Sequence, residues 1–190
     1  LQTATAKDIS GNSNDGNLEG DTEWNATGGY DGFGAYEFGT SPADRITISD
    51  ANDLDFDGAQ AFGLELRFKI ANLSKGGWLV SKQDGTPNGY TLIITQDTKM
   101  LEFTADATDF ALLQYNISTF NLNQWYHVVA TFDGSSQSMY IDGILVVSGA
   151  ASGSMTGTAA DIDFGGDGAN FGFNGTLDEF TLYNQYLTPD

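Results

Sequence analysis

Between Asn123 and Gly143 the side chains alternate in character at nearly every step. Trp125, His127, Val129 and Thr131 interleave with Tyr126, Val128, Ala130 and Phe132, the period of two that a β-strand imposes. Asp133-Gly134 breaks the run, Met139 and Ile141 resume it, and Asp142-Gly143 signals a tight turn before the apolar Ile144 to Val147. The stretch predicts a β-meander. From Ala61 to Ile70 the alternation places Phe62, Leu64, Leu66, Phe68 and Ile70 on one face and Gly63, Glu65, Arg67 and Lys69 on the other, a central half-buried strand. Strands are also expected at Gly77 to Lys82, Gly89 to Thr95, Lys99 to Ala105, Ala111 to Ile117, Asp161 to Gly165 and Thr176 to Tyr183. Two short ones flank the Ser41-Pro42 turn between Ala35 and Ile48.

The intervening segments carry turn chemistry. Residues 1 to 34 are rich in Gly, Asn, Asp and Thr and predict one short strand plus long ordered loops; Asp50 to Gly58 is acidic and turn-like, and Gly149 to Ala160 is a small-residue loop. No amphipathic helical pattern is present. About a dozen short strands separated by turn signals point to an all-β, two-sheet antiparallel sandwich. With no repeat and no linker, residues 1–190 read as one domain, and the start at Leu1 and end at Asp190 suggest a module cut from a longer polypeptide.

The motifs W-Y-H-V-V-A-T-F-D-G and Y-I-D-G, D-I-S-G-N-S-N-D-G-N-L from Asp8 to Leu18, Gly165-Gly166, and N-G-T-L-D-E-F-T-L-Y-N from Asn174 to Asn184 span nearly the whole chain. Together they resemble laminin-G-like, concanavalin A-like jelly-roll domains, the non-catalytic modules common in secreted bacterial proteins. That resemblance implies a jelly roll in which the first and last strands pair, with Trp125 in the core and His127 structural. It also implies an extracellular or cell-surface setting.

Composition narrows the partners. A net charge of −19, from 26 acidic and 7 basic residues, is opposed to binding a nucleic-acid backbone, which needs clustered Lys and Arg. Polyanionic glycans are disfavoured for the same reason, so neutral ones are the better expectation. No apolar run approaches the length of a membrane helix, so no membrane insertion is expected. With no cysteine, neither disulfides nor thiolate metal sites are available.

Oxygen-bearing side chains recur at Asp8, Ser10, Asn12, Asn14, Asp15 and Asn17, with Gly11 and Gly16 allowing the backbone to bend. Hard oxygen donors with a single His and no Cys in the chain favour calcium over zinc, copper or iron. The alternative is that such loops are turn-formers whose side chains bond their own backbone. The resemblance puts this loop beside the last strand, where Asp178 would complete the set. Asp178 shares parity with Thr176, Phe180 and Leu182, the face expected to point inward. The expectation is a structural calcium held by Asp8, Asp178 and oxygens of Asn12, Asn14 and Gly16. Asp50, Asp53, Asp55 and Asp57 form a second acidic run and Asp161, Asp163 and Asp167 a third; each also reads as a solvated connector.

Catalytic patterns are missing. A retaining glucanase on this fold would show two glutamates spaced along one strand, a pattern that A-D-I-D-F-G lacks, and the adjacent Asp178 and Glu179 would face opposite ways on a strand. A jelly-roll alginate lyase would need Gln two residues before His127, where Trp125 stands. Binding is therefore the expected role. Flat aromatics stack on the apolar faces of sugar rings, while Asp, Asn, Gln and Arg bond the hydroxyls. Candidate ligand-contacting residues are Trp78, Tyr90, Tyr115 and Arg45, with Trp24 and Tyr30 in the N-terminal loops; each aromatic fits a core position equally well. The reading is a monomeric carbohydrate-binding module directed at a polysaccharide or other glycan. The alternatives are a protein-binding adhesion module and a spacer.

Overall fold

A computed structural model of the protein describes residues 5–84, 88–105, 112–151 and 155–188. Among the described residues fifteen strands, numbered in chain order, form two sheets with every pairing antiparallel. The eight-stranded sheet runs β1 (Thr5–Ala6), β2 (Gly16–Glu19), β5 (Arg45–Ile48), β14 (Ile162–Gly165), β7 (Gly77–Lys82), β8 (Tyr90–Ile94), β9 (Met100–Ala105) and β10 (Leu113–Asn116). The seven-stranded sheet runs β13 (Ile144–Ala150), β12 (Ser136–Ile141), β11 (Trp125–Phe132), β6 (Phe62–Ile70), β15 (Gly175–Tyr183), β4 (Ala35–Phe38) and β3 (Glu23–Asn25). This is the concanavalin A-like jelly-roll sandwich. The helical content among the described residues is one 3-10 turn, Asn52–Leu54.

Alternation builds the core. Phe62, Leu64, Leu66 and Phe68 of β6 and Val128, Ala130 and Phe132 of β11 are all buried, in a register that sets Leu66 opposite Val128. Between the sheets Phe62 stacks on Phe56 at 4.6 Å and tilts against Tyr90 at 5.5 Å. The β12–β13 turn places Asp142 at φ 50° and Gly143 at φ 78°, the left-handed pair that a two-residue hairpin of native twist requires.

Two expectations are corrected here. Trp125 lies on the outer face, half-buried beneath Lys69, because Tyr126 and Val128 take the inward parity. The last strand does not pair with the first: β15 lies inside the seven-stranded sheet between β6 and β4, and β1 pairs with β2 in the other sheet.

Bulges redirect side chains at two places that matter below. In β7 the register against β8 shifts between Trp78 and Val80, and in β15 the register against β6 shifts between Asp178 and Thr181. An extra residue reverses which face the following side chains occupy.

Candidate functional site

The bulge at Leu79 turns Trp78 outward. Val80 is fully buried, and unbroken alternation would send Trp78 inward with it; instead Trp78 pairs with the outward Ile93 and stays half-buried. Beside it a row of polar side chains crosses the same outer face in continuous register, from Thr47 through Asp163, Ser81 and Thr91 to Thr104. Thr47 donates its hydroxyl to Asp163 Oδ1 at 2.6 Å. Burial pushes the Asp163 carboxyl above its ordinary pKa, against the Thr47 hydrogen bond and then the Arg45 charge. Ser81 Oγ is buried and, among the described residues, has no hydrogen-bond partner.

A cleft of about 400 Å³ opens beside Trp78, walled by Ile93, the β8–β9 turn from Thr95 to Thr98, and Phe171, which is 48% exposed. Phe171 belongs to a loop wound around one carboxylate. Asp167 Oδ1 accepts the backbone N–H groups of Ala169, Asn170 and Phe171 at 2.8, 2.6 and 2.9 Å. Gly168 of that loop, at φ 76°, passes so close to Arg45 that a Cβ there would lie 2.4 Å from the guanidinium. Arg45 is clamped from the other side by Glu19, donating from Nε and Nη2 at 3.0 and 2.7 Å.

The structure thus brings Trp78 and Arg45 to one face and separates the other two ligand candidates from it. Tyr90 is 1% exposed, ringed by Phe56 and Phe62, and burial holds its hydroxyl well above the usual phenolic range; it is a core residue. Tyr115 faces inward on β10, packed on Phe120. Asp163, Thr47 and Phe171 were not picked out from the sequence as ligand contacts. The first two sit at outward parity in R-I-T-I and D-I-D-F, a signal open to reading once both strands are assigned to one sheet. Phe171 carries no such signal.

The five residues of the calcium expectation all line one opening between the sheets. Asp8 accepts the Ser10 N–H and hydroxyl and the Asn14 N–H, at 2.7, 2.8 and 2.9 Å. These bonds, the Ser10 N–H first, hold its carboxyl below the ordinary range. Asp178 is not on the inward face: the bulge after it breaks its parity with Phe180, and it pairs with the outward Arg67. Burial raises its pKa, against the Tyr30 and Glu179 N–H groups it accepts. Both carboxylates keep acceptor capacity, so the donors fit a hard cation in kind. Among the described residues no group of three or more His, Cys, Asp or Glu is gathered to hold a metal, so an ion would lean on amide and carbonyl oxygens. The other acidic runs are engaged in the fold: Asp50 and Asp55 pair with Lys82, Asp57 accepts the Gly157 N–H and Asp161 that of Asp50.

Among solved structures the fold is similar to the binding domain of botulinum neurotoxin serotype G, at 18% identity, covering 96% of this chain and 46% of that one, with a TM-score of 0.74. It is similar to the binding domain of Paraclostridial Mosquitocidal Protein 1, at 17% identity, 96% and 47% coverage and a TM-score of 0.75. Domain 4 of AbnA, an extracellular arabinanase from Geobacillus stearothermophilus, solved in complex with arabinotriose, matches at 20% identity, 99% and 84% coverage and a TM-score of 0.66. The chain spans 46% and 47% of the two toxin chains, about half of each. No curated protein matches it in sequence. A laminin-G-type family model, described as the concanavalin A-like lectin/glucanases superfamily, matches residues 38–190, and the chain belongs to that superfamily.

Proposed function

We propose that the protein is a non-catalytic carbohydrate-binding module whose glycan lies across the outer face of the eight-stranded sheet. The observation that carries this is the outward Trp78 beside Thr47 and Asp163, in a row whose Ser81 and Thr91 are buried. A sugar ring stacks its C–H face on the indole, Phe171 closes over its edge, and Asp163, Thr47 and Arg45 take hydroxyls. The carboxylates of Glu19, Asp163, Asp167 and Glu102 on or beside this face favour a neutral glycan over a polyanion. The match to an arabinanase domain solved with arabinotriose supports the ligand class, and the recurrence of binding domains among similar structures supports a non-catalytic role. Calcium belongs to the proposal as a structural ion at the Asp8 loop, where Asp8, Asn12, Asn14, Gly16 and Asp178 would supply oxygens. The module would act outside the cell or at its surface, as a monomer that holds a larger protein against polysaccharide.

Affinity electrophoresis against neutral and acidic polysaccharides, with calcium and with chelator, tests the reading. Retardation by one or two neutral glycans that is lost in Trp78→Ala is the expected result, and no retardation by any glycan would reject it. In that event the adhesion reading has a specific surface. Strand β13 ends the seven-stranded sheet, carries no charge from Ile144 to Ala150, and exposes Ile144 at 69% and Leu145 at 52%.

A further inference from the structure

At one side of the sandwich β10 packs against β12 and β13, whereas at the other, beyond β2 and β4, the sheets stand apart around a cleft of about 980 Å³. Its chemistry differs from that of the Trp78 face. Phe164 of one sheet meets Phe180 of the other edge-on, with centroids 4.8 Å apart, and both rings line it. Its walls are the inward side chains Ile46, Ile48 and Ile162 on one side and Tyr36, Leu177 and Leu182 on the other. At the outer edge Trp24 pairs with Tyr36 on the inward face of β3, its ring 4.9 Å from that of Tyr36, yet it remains 43% exposed. An inward tryptophan left open to solvent, above an apolar trough of ligand size, marks an apolar binding surface.

The mouth has its own character. Asp8, Asp53, Asp178 and Glu179 border it; Glu179 is paired with Arg67 and the Lys7 ammonium with Asp15, so Asp8, Asp53 and Asp178 carry the negative charge of the rim. Such a rim repels an anionic head and accepts hydrogen bonds from a neutral or cationic one. The trough offers a sugar ring little to bond, but its depth suits an alkyl or aryl chain, whose removal from water supplies the affinity.

We infer that this intersheet cleft binds an amphiphile, with an apolar chain lying between the sheets and a non-anionic, hydrogen-donating head at the acidic mouth. The site is separate from the proposed glycan face; it shares Asp8 and Asp178 with the proposed calcium position, so the inference is made for the ion-free protein.

Isothermal titration of the intact protein in chelator-containing buffer, with every probe below its micelle-forming concentration, tests this. Octyl glucoside and octylammonium are expected to bind saturably. Octanoate should bind about tenfold more weakly or worse, and glucose not at all. Trp24→Ala should weaken octyl glucoside binding by about tenfold, and Ala6→Phe, which fills the trough from β1, should abolish it, while Trp78→Ala leaves it unchanged. Thermal melts of each variant confirm that it is folded. Equal binding of octanoate, equal binding of glucose, or loss of binding in Trp78→Ala would each overturn the inference.

Discussion

The ammonium of Lys82, whose side chain is wholly buried, lies 2.6 Å from Asp50 Oδ1 and 3.2 Å from Asp55 Oδ1. It also donates to the carbonyls of Thr158 and Ala160 at 2.7 and 2.8 Å, so one cation pins the acidic connector and the segment before β14 to the end of β7. A buried charge stripped of its counter-ions costs more than an ion pair removed together with its charge. The double change Asp50→Ala, Asp55→Ala should therefore destabilise by about 3–5 kcal/mol, and Lys82→Met by less, since the freed carboxylates can turn to water. Chemical denaturation of both variants decides the order; a Lys82→Met loss as large as that of the double variant would show that the carbonyl bonds, not the charges, hold this junction.

Trp78 and Tyr90 are both aromatics on adjacent paired strands, one on the outer face and one in the core. Trp78→Ala removes a half-buried ring from an outer face and should leave the melting temperature nearly unchanged while weakening glycan binding about tenfold or more. Tyr90→Ala empties a site walled by Phe56 and Phe62 and should cost about 3–5 kcal/mol, with glycan affinity preserved in the folded fraction. Parallel melts and affinity gels on the two variants make the comparison.

Such contrasts show what the sequence made legible. The strands of β6, β11 and β9 follow from alternation because each buries one face in a single core, and their bounds were readable within a residue or two. Bulges hid the rest. At Leu79 and at Glu179, the latter at φ 52°, one inserted residue reverses parity, so the sequence leaves Trp78 open between core and ligand face and reads Asp178 as inward beside Phe180. Placing β3 with its inward Trp24 needed pairing information that Glu23–Asn25 alone does not contain.

Calcium at the Asp8 loop predicts a linked stability. Adding calcium at about a hundredfold excess over its dissociation constant should stabilise by about 2.7 kcal/mol, or raise the melting temperature by roughly 5–10 °C in a chain of this size. Asp178→Asn should reduce that response and Asp8→Ala should abolish it. Identical melts in calcium and in chelator would remove the ion from the proposal.

Asp167 offers a pH test that reports on the proposed glycan face through its loop. Burial pushes its carboxyl up, but the N–H groups of Phe171, Ala169 and Asn170 outweigh that and leave it below the ordinary value of 3.8. A carboxyl lowered on folding binds fewer protons in the native state than in the unfolded one. Its contribution is therefore complete above the ordinary value and is lost as the pH falls through the lower, folded value. Asp167→Asn keeps an oxygen for the three N–H groups but not the charge, so it should melt below the wild type at neutral pH, with the gap closing as the medium is acidified past 3.8. Because the loop carries Phe171, the variant should also bind glycan more weakly at neutral pH while Trp78 stays in place. A melting gap that does not change with pH would mean that the loop is held by shape alone, and unchanged glycan affinity would take Phe171 out of the binding face.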